Sequence, residues 1–145
     1  MNKLDPPTSF GIFKPIGHTL IAFRDDTQLR DAIASLESIG FTSESWVSYS
    51  PAEMVEQINA QLSAYNPLAN FGYELDLVHA HKVLAEQGSS FLVIEAPTEN
   101  LAAKVATLVG HIKPVAAQHY GSLLIEDLTE RPPGRLAESP LPGAP

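Results

Sequence analysis

Residues 89 to 95 read Ser-Ser-Phe-Leu-Val-Ile-Glu, and this stretch decides the fold of the chain. Phe91 to Ile94 are four consecutive apolar residues, so a strand built from them has no face suited to water. Gly88 before the stretch and Pro97 after it are typical of the end of one helix and the start of the next. The sequence therefore predicts a strand that is buried on both faces.

The chain contains a second apolar stretch of this kind, Thr-Leu-Ile-Ala-Phe at residues 19 to 23. We expect the two strands side by side in the middle of a small sheet, since strands there are covered on both faces. Residues 44 to 49 and 114 to 120 instead alternate between apolar and polar side chains, which is typical of edge strands. Gly121 then permits a turn into Leu123, Leu124 and Ile125.

Four segments carry apolar residues at helical spacing and have capping residues at their ends. Asp25 or Asp26 is expected to cap the first, with Gln28 as the reciprocal half of a capping box. Ser50-Pro51-Ala52-Glu53 combines an N-cap, a first-turn proline and a capping glutamate, and is the strongest local signal in the chain. The helices are predicted to run from residue 26 to Gly40, from 51 to Asn66, from 73 to 87 and from 97 to Gly110.

The order of elements is strand, helix, strand, two helices, strand, helix, strand, which predicts one α+β domain over residues 17–130. Two strand-helix-strand units give a ferredoxin-like sandwich whose helices cover one face of the sheet, with a two-helix insert over residues 51–87 between the halves. The other face needs a cover, because an apolar sheet face is unstable in water. The insert, the N-terminal arm or a second subunit could supply it, and a homodimer through the open face is the simplest solution.

The two ends of the chain are expected to lie outside this domain. Residues 1–16 contain three prolines and are predicted to form an irregular arm, docked through Phe10 and Phe13. Residues 131–145 contain five prolines and are predicted to be a disordered tail. Such a tail could also dock on a protein partner.

Composition limits the classes of function. The chain has 17 acidic and 9 basic residues and a formal charge of -8, which argues against binding to nucleic acid or to an anionic membrane surface. It has no cysteine, which excludes disulfides, thiolate metal sites and a cysteine nucleophile. The sequence also lacks a signal-peptide core and an apolar run of membrane-spanning length, so we predict a cytoplasmic protein.

Both ends of the predicted domain carry recognisable local patterns. Residues 18 to 49 combine a strand, an Asp-rich cap, an Ala-Ile-x-x-Leu helix and Gly-Phe, and later segments include Gly88-x-x-Phe-Leu-Val, Ala117 to Gly121 and Ile125 to Leu128. These segments resemble the bacterial general stress protein domain of the heat-induced, seventeen-M-like type. The resemblance implies a stress-associated binding role and offers no catalytic residues to transfer. The polar insert stands where many members have a Gly-rich apolar segment.

The histidines are the main candidates for chemistry, and they are His18, His79, His81, His111 and His119. On a strand His79 and His81 could chelate one ion, but on the predicted helix they point about 200° apart. His81 shares a face with Leu77 and Leu84, which favours a hydrogen-bonded core histidine. His79, which has Glu74, Asp76 and Lys82 nearby in sequence, could equally be a solvated surface residue.

His119, beside Tyr120 on the last long strand, is the preferred candidate for a site. Asp76, Glu74, Tyr73 or His79 of the insert could lie near it in three dimensions. Such a cluster of histidine, tyrosine and carboxylate would bind a metal ion or shuttle a proton. A histidine in a purely structural network is the alternative interpretation.

Trp46, Tyr49 and Tyr65 either line a pocket between the edge strand and the insert or belong to the core, and aromatic residues at this spacing are more often core. No serine stands in a Gly-x-Ser-x-Gly setting and no Gly-rich phosphate loop is present, so the sequence predicts no catalytic residue and identifies no cofactor. We predict a non-enzymatic, stress-associated binding module that is homodimeric. The alternative is a small metal-binding protein or enzyme of the dimeric α+β barrel type with its site at His119.

Overall fold

A computed structural model describes residues 8–9, 12–13, 16–63, 72–121 and 124–129. Its strands are β1 (Thr8–Ser9), β2 (Ile12–Phe13), β3 (His18–Phe23), β4 (Trp46–Tyr49), β5 (Ser90–Glu95), β6 (Ala116–Tyr120) and β7 (Ile125–Asp127). Its helices are α1 (Asp26–Ser38), α2 (Pro51–Ser63), α3 (Gly72–Glu86) and α4 (Glu99–Ile112), with a short 3-10 turn at Ser43–Ser45. The predicted α+β class is therefore confirmed.

Strands β3 to β7 form one antiparallel sheet in the order β4-β5-β3-β6-β7. β3 and β5 are neighbours inside it, with Thr19 opposite Ile94 and Ala22 opposite Phe91. Residues Phe91 to Ile94 are completely buried. The central pair predicted from the two apolar stretches is confirmed, and β4 lies at one edge as expected.

The prediction that β6 lies at the other edge is wrong, because β7 pairs with its outer side. Tyr120 lies opposite Ile125, and the Gly121 N–H donates to the Leu124 carbonyl at 2.9 Å to close the turn. Two of the three residues of β7 are carboxylates, so the segment carries no β-strand signal of its own. Backbone pairing with β6 and burial of Ile125 hold it in the sheet.

The helices cover both faces of the sheet. α1 and α4 pack on the face that carries Ile21 and Ile94. α2 and α3 pack on the opposite face, against Leu20, Phe91 and Val93. Of the three covers considered for that face, the insert is thus the one present among the described residues. The physical reason for a dimer through an open sheet face is removed, and the oligomeric state itself stays a prediction.

The N-terminal arm contains a small antiparallel hairpin of β1 and β2, where an irregular segment was expected. β2 lies against α2 and α3. The predicted docking through Phe10 and the Phe13 side chain lies outside the described residues. So does the predicted disordered tail at residues 131–145.

The helix ends follow local sequence closely at α2. The Ser50 N–H donates to Glu53 Oε1 at 2.9 Å, and the Glu53 N–H donates to Ser50 Oγ at 3.1 Å, so the predicted capping box is confirmed. α1 ends at a left-handed Gly40 with φ of 103°, where the Phe41 N–H donates to the Leu36 carbonyl at 3.0 Å. Glycine adopts this conformation without steric cost.

At α1 the predicted capping box is only half correct. Asp25 is the N-cap and its Oδ1 accepts from the Gln28 N–H at 2.9 Å. Gln28 Oε1, however, accepts from the Arg24 N–H at 2.9 Å, and its Nε2 donates to the Ile112 carbonyl at 3.1 Å. The glutamine therefore joins the start of α1 to the end of α4.

That contact accompanies a helix end that was predicted wrongly. α4 continues through Gly110 to Ile112 and ends at Lys113, which has a left-handed φ of 55°. An interior glycine costs about 1 kcal/mol relative to alanine, and the Gln28 bond to the last turn offsets part of that cost. None of the described helices is both long enough and apolar enough to cross a bilayer.

Candidate functional site

The residues that the sequence singled out lie in separate parts of the fold. His119 points to the same side of β6 as Ala117, which belongs to the α1 and α4 core, whereas Tyr120 is buried in the core beneath α2 and α3. Asp76 and His79 are exposed on α3, in the layer on the other side of the sheet from His119. The expected approach of these two residues to His119 does not occur.

Trp46 is half-buried on β4 and packs against the α1 and α4 core. Tyr49, three residues later, is buried in the core on the opposite face, as the alternation of a strand requires. These two aromatics therefore do not line a common pocket, and Tyr65 lies outside the described residues. The core interpretation fits both described side chains.

His119 takes part in a row of polar residues across three strands. Its Nδ1 is hydrogen-bonded to Thr19 Oγ1 on β3 at 2.8 Å, and its backbone partner on β7 is Glu126. The imidazole is half-buried, while Thr19 is completely buried. A buried hydroxyl cannot meet a substrate, so this contact is suited to joining strands rather than to nucleophilic chemistry.

Three influences act on the pKa of His119. Burial lowers it, the Glu126 carboxylate raises it and the His18 imidazole lowers it, and the result lies below the ordinary 6.5. His119 is accordingly neutral at pH 7, the form that can bind a metal ion. Among residues 16–63, 72–121 and 124–129, however, no three His, Asp or Glu side chains converge as a metal site.

A second histidine contact lies on the opposite face of the sheet. His81 is 3% exposed, and its Nε2 lies 2.9 Å from Gln118 Oε1 in the middle of β6. The ring packs edge-on against Phe91, with 6.0 Å between the ring centroids. Burial lowers the pKa of His81, and the bond to Gln118 opposes this only in part. The prediction of a hydrogen-bonded core histidine is confirmed.

Gln118 was missed by the sequence analysis. It stands between Ala117 and His119 on β6, and the alternation of the strand already placed it on the side of Tyr120. A polar residue at a core-facing position requires a buried partner. That requirement was the available clue, but it does not identify His81, which lies 37 residues away.

A partly open groove of about 400 Å³ lies at the end of α1 and the start of α4, where β5 ends. Ile39, Phe41 and Leu101 supply its apolar surface, Lys104 of α4 supplies a charge, and Glu95 at the end of β5 also lines it. Gly40 reverses the chain after α1, which leaves Ile39 41% exposed while Phe41 turns into the core. The sequence analysis missed this groove, because three segments that are distant in the chain form it.

The groove also has charged residues among those that line it. Glu95 and Lys104 are both exposed, and within the described part of the chain neither makes an ion pair with another side chain. A smaller depression of about 250 Å³ at Arg24, Asp25, Asp31 and Ile112 is polar and is crossed by the Gln28 contacts. The larger groove is therefore the better candidate for a binding site.

No protein-family model matches the chain, and neither the curated proteins nor the solved structures yield a match. A function must therefore be argued from the geometry of the groove and of the two histidine contacts.

Proposed function

We propose that the chain is a non-enzymatic binding module with a stress-associated role, and that a protein partner binds in the groove between α1 and α4. The groove is the observation that carries this proposal. It combines apolar surface, at the exposed Ile39 and the half-buried Leu101, with the exposed charge of Lys104, which has no ion-pair partner in the described residues. A partner segment that buries an apolar side chain there would satisfy both features.

The size and shape of the groove favour a protein segment over an enclosed small molecule. At about 400 Å³ it lies near the lower limit of ligand pockets, which span roughly 300–1,000 Å³. Small-molecule pockets usually surround their ligand, whereas this groove is partly open along one side. Each 100 Å² of apolar surface covered by a partner would contribute roughly 2.5 kcal/mol.

The stress-associated part of the proposal depends on the local sequence patterns at residues 18–49 and 88–128. We also infer a ferredoxin-like sandwich with a helical insert. The strand order β4-β5-β3-β6 and the position of α1 and α4 on one face support this inference. A cytoplasmic location remains a prediction from the sequence.

The alternative is a metal-binding protein or enzyme centred on His119. The row formed by Thr19, His119 and Glu126 favours it, because a neutral imidazole faces a carboxylate across two strands. Metal analysis of protein purified without a histidine tag tests this alternative. Protein that contains no metal and takes up none would exclude the metal-binding form.

Site-specific crosslinking is the most direct test of the groove, because the chain has no cysteine of its own. A photoreactive group attached to Ser45→Cys would lie in the groove, and the same group on Ser63→Cys would lie at the exposed end of α2 as a control. We expect a partner to crosslink from position 45 and not from position 63. Equal crosslinking from both positions contradicts the proposal.

Purified partner then allows the affinity to be measured. Ile39→Ser should weaken binding about tenfold, equivalent to about 1.4 kcal/mol, because it removes apolar surface from the groove. Val83→Ser removes a comparably exposed apolar side chain from α3, so it is the matched control and should bind normally. Lys104→Glu reverses the charge in the groove and should also weaken binding. Its control Lys82→Glu reverses a charge on α3 and should bind normally. Unchanged affinity in both groove variants would refute the assignment.

A further inference from the structure

The helices α2 and α3 form one layer, called here the insert layer, which a hydrogen bond connects to the middle of the sheet. That bond joins His81 of α3 to Gln118 of β6. Around it the contacts are apolar, with Phe91 against the imidazole and Val78 and Ala85 buried on the same helix. His81 is therefore a titratable side chain placed between two layers of the protein.

The insert layer is also a separable part of the fold. It comes from one stretch of chain between β4 and β5, and the strands around it pair with each other without using its residues. α1 and α4 remain packed on the opposite face through their own cluster of apolar side chains. Detachment of the insert layer would thus leave a two-layer unit of sheet and helices intact.

We propose that His81 makes the attachment of the insert layer sensitive to acid, so that protonation of its imidazole releases α3 and α2 from the sheet. The released state exposes the apolar face that carries Leu20, Phe91 and Val93. The Nε2–H of the neutral ring donates to Gln118, so the added proton goes to Nδ1. The resulting imidazolium would be a cation enclosed in apolar surroundings, which is costly without an anionic partner.

The charged and titratable groups on the surrounding elements do not supply that partner. Asp127 of β7 lies opposite Gln118, but its Oδ1 accepts from the Thr129 N–H at 3.0 Å and from Thr129 Oγ1 at 2.8 Å. Burial and the Gln118 bond are the influences that act on the pKa of His81, and it is lowered. None of the other titratable side chains described on these elements is among the influences on the pKa of His81. They are His18, Tyr49, Glu53, Glu56, Asp76, His79, Lys82, Glu86, Glu95, His119, Tyr120 and Glu126.

The direction of the pH dependence follows from which of the two states, packed or released, binds a proton more readily at His81. In the released state His81 is solvated and returns to its ordinary pKa of 6.5, whereas in the packed state the pKa is lower. Above pH 6.5 both states are neutral, and the stabilisation of the packed state is complete. As the pH falls below 6.5 the released state binds the proton first, so its population rises by up to about tenfold per pH unit. The rise stops below the lowered pKa of the packed state.

Native-state hydrogen exchange measures this opening in the unmodified chain. Amide exchange in α3 is compared with exchange in α1 and α4 at about pH 7.5 and about pH 5.5, after correction for intrinsic rates. We expect the opening constant of α3 to increase up to about tenfold over this interval, while those of α1 and α4 change much less. Equal changes in all three helices would mean global unfolding and would overturn the proposal, as would no change in α3.

Two variants make the test specific to His81. His81→Leu combined with Gln118→Leu keeps the interface apolar and satisfied, and should abolish the pH dependence of α3 exchange. His79→Gln removes an exposed histidine from the same helix and should leave the pH dependence as it is. Persistence of the acid effect in the double variant would overturn the assignment to His81. If the double variant fails to fold, the comparison of exchange in α3 with exchange in α1 and α4 of the unmodified chain still tests whether acid releases the insert layer.

This inference is independent of the proposed partner groove, which lies in the α1 and α4 layer on the other face. Loss of groove binding in Ile39→Ser leaves the exchange of α3 unchanged. Acid release of the insert layer, in turn, leaves the residues that line the groove in place. Failure of either proposal is thus distinguishable from failure of the other.

Discussion

At the scale of single residues, two histidines of one short protein acquire different roles from their surroundings. His81 is enclosed by apolar side chains and one amide, and His119 lies half-exposed between a hydroxyl and a carboxylate. The face shared with Leu77 and Leu84 on a helix was enough to predict that His81 is buried. Nothing local predicted that His119 pairs with Thr19, since the two residues are 100 positions apart.

The surroundings of His119 predict two pKa shifts of opposite sign. Glu126→Gln removes the carboxylate that raises the pKa, so the titration midpoint should fall further below 6.5. His18→Gln removes a neighbouring imidazole that lowers the pKa, so the midpoint should rise. Proton NMR titration of the His119 ring measures both. Shifts of the same sign in the two variants would contradict the arrangement of β3, β6 and β7 described here.

At the scale of elements, helices and strands were predicted correctly from the sequence wherever residues close together in the chain determine them. The central strands are recognisable because all their side chains are apolar, and the start of α2 because Ser50 and Glu53 cap each other. Prediction from the sequence failed where a residue distant in the chain determines the end of a helix or the presence of a strand. α4 passes Gly110 while Gln28 holds its last turn, and β7 exists because β6 offers backbone partners.

The cap of α2 gives a prediction at this scale. Ser50→Ala should lower the free energy of unfolding by about 1 kcal/mol, because the Glu53 N–H loses its acceptor at the start of the helix. Ser63→Ala, at the other end of α2, is the matched control, since its hydroxyl bonds only to carbonyls of Asn59 and Ala60 within the helix. Urea denaturation of the two variants measures the difference. Equal loss in both would show that the cap contributes nothing.

At the scale of the whole molecule, the sequence correctly identified an apolar sheet face that needs a cover, but not which part of the chain supplies it. The apolar stripe of α2, including Met54 and Ile58, was recognised, yet a stripe does not specify its target. The same limit applies to the groove at Ile39 and Leu101. It is a property of three segments brought together, and each segment alone has the composition of an ordinary surface.

The predicted homodimer belongs to this scale as well. With the sheet faces covered, a second copy would have to bind an outer surface, and β4, an edge strand of the described sheet, can extend that sheet across two chains. Light scattering should then give a mass near twice 15.7 kDa. A mass of a single chain across the accessible concentration range contradicts the prediction.

The position of β5 between β3 and β4 has a consequence for the synthesis of the protein. β3 and β4 leave the ribosome first, but neither is the neighbour of the other in the finished sheet. Neither strand can pair with β5 until residues 90 to 95 have been synthesised. Until then the nascent chain carries an unpaired, wholly apolar segment at Leu20 to Phe23. Translation of the insert before β5 lengthens that interval, during which the unpaired apolar strand is exposed to aggregation.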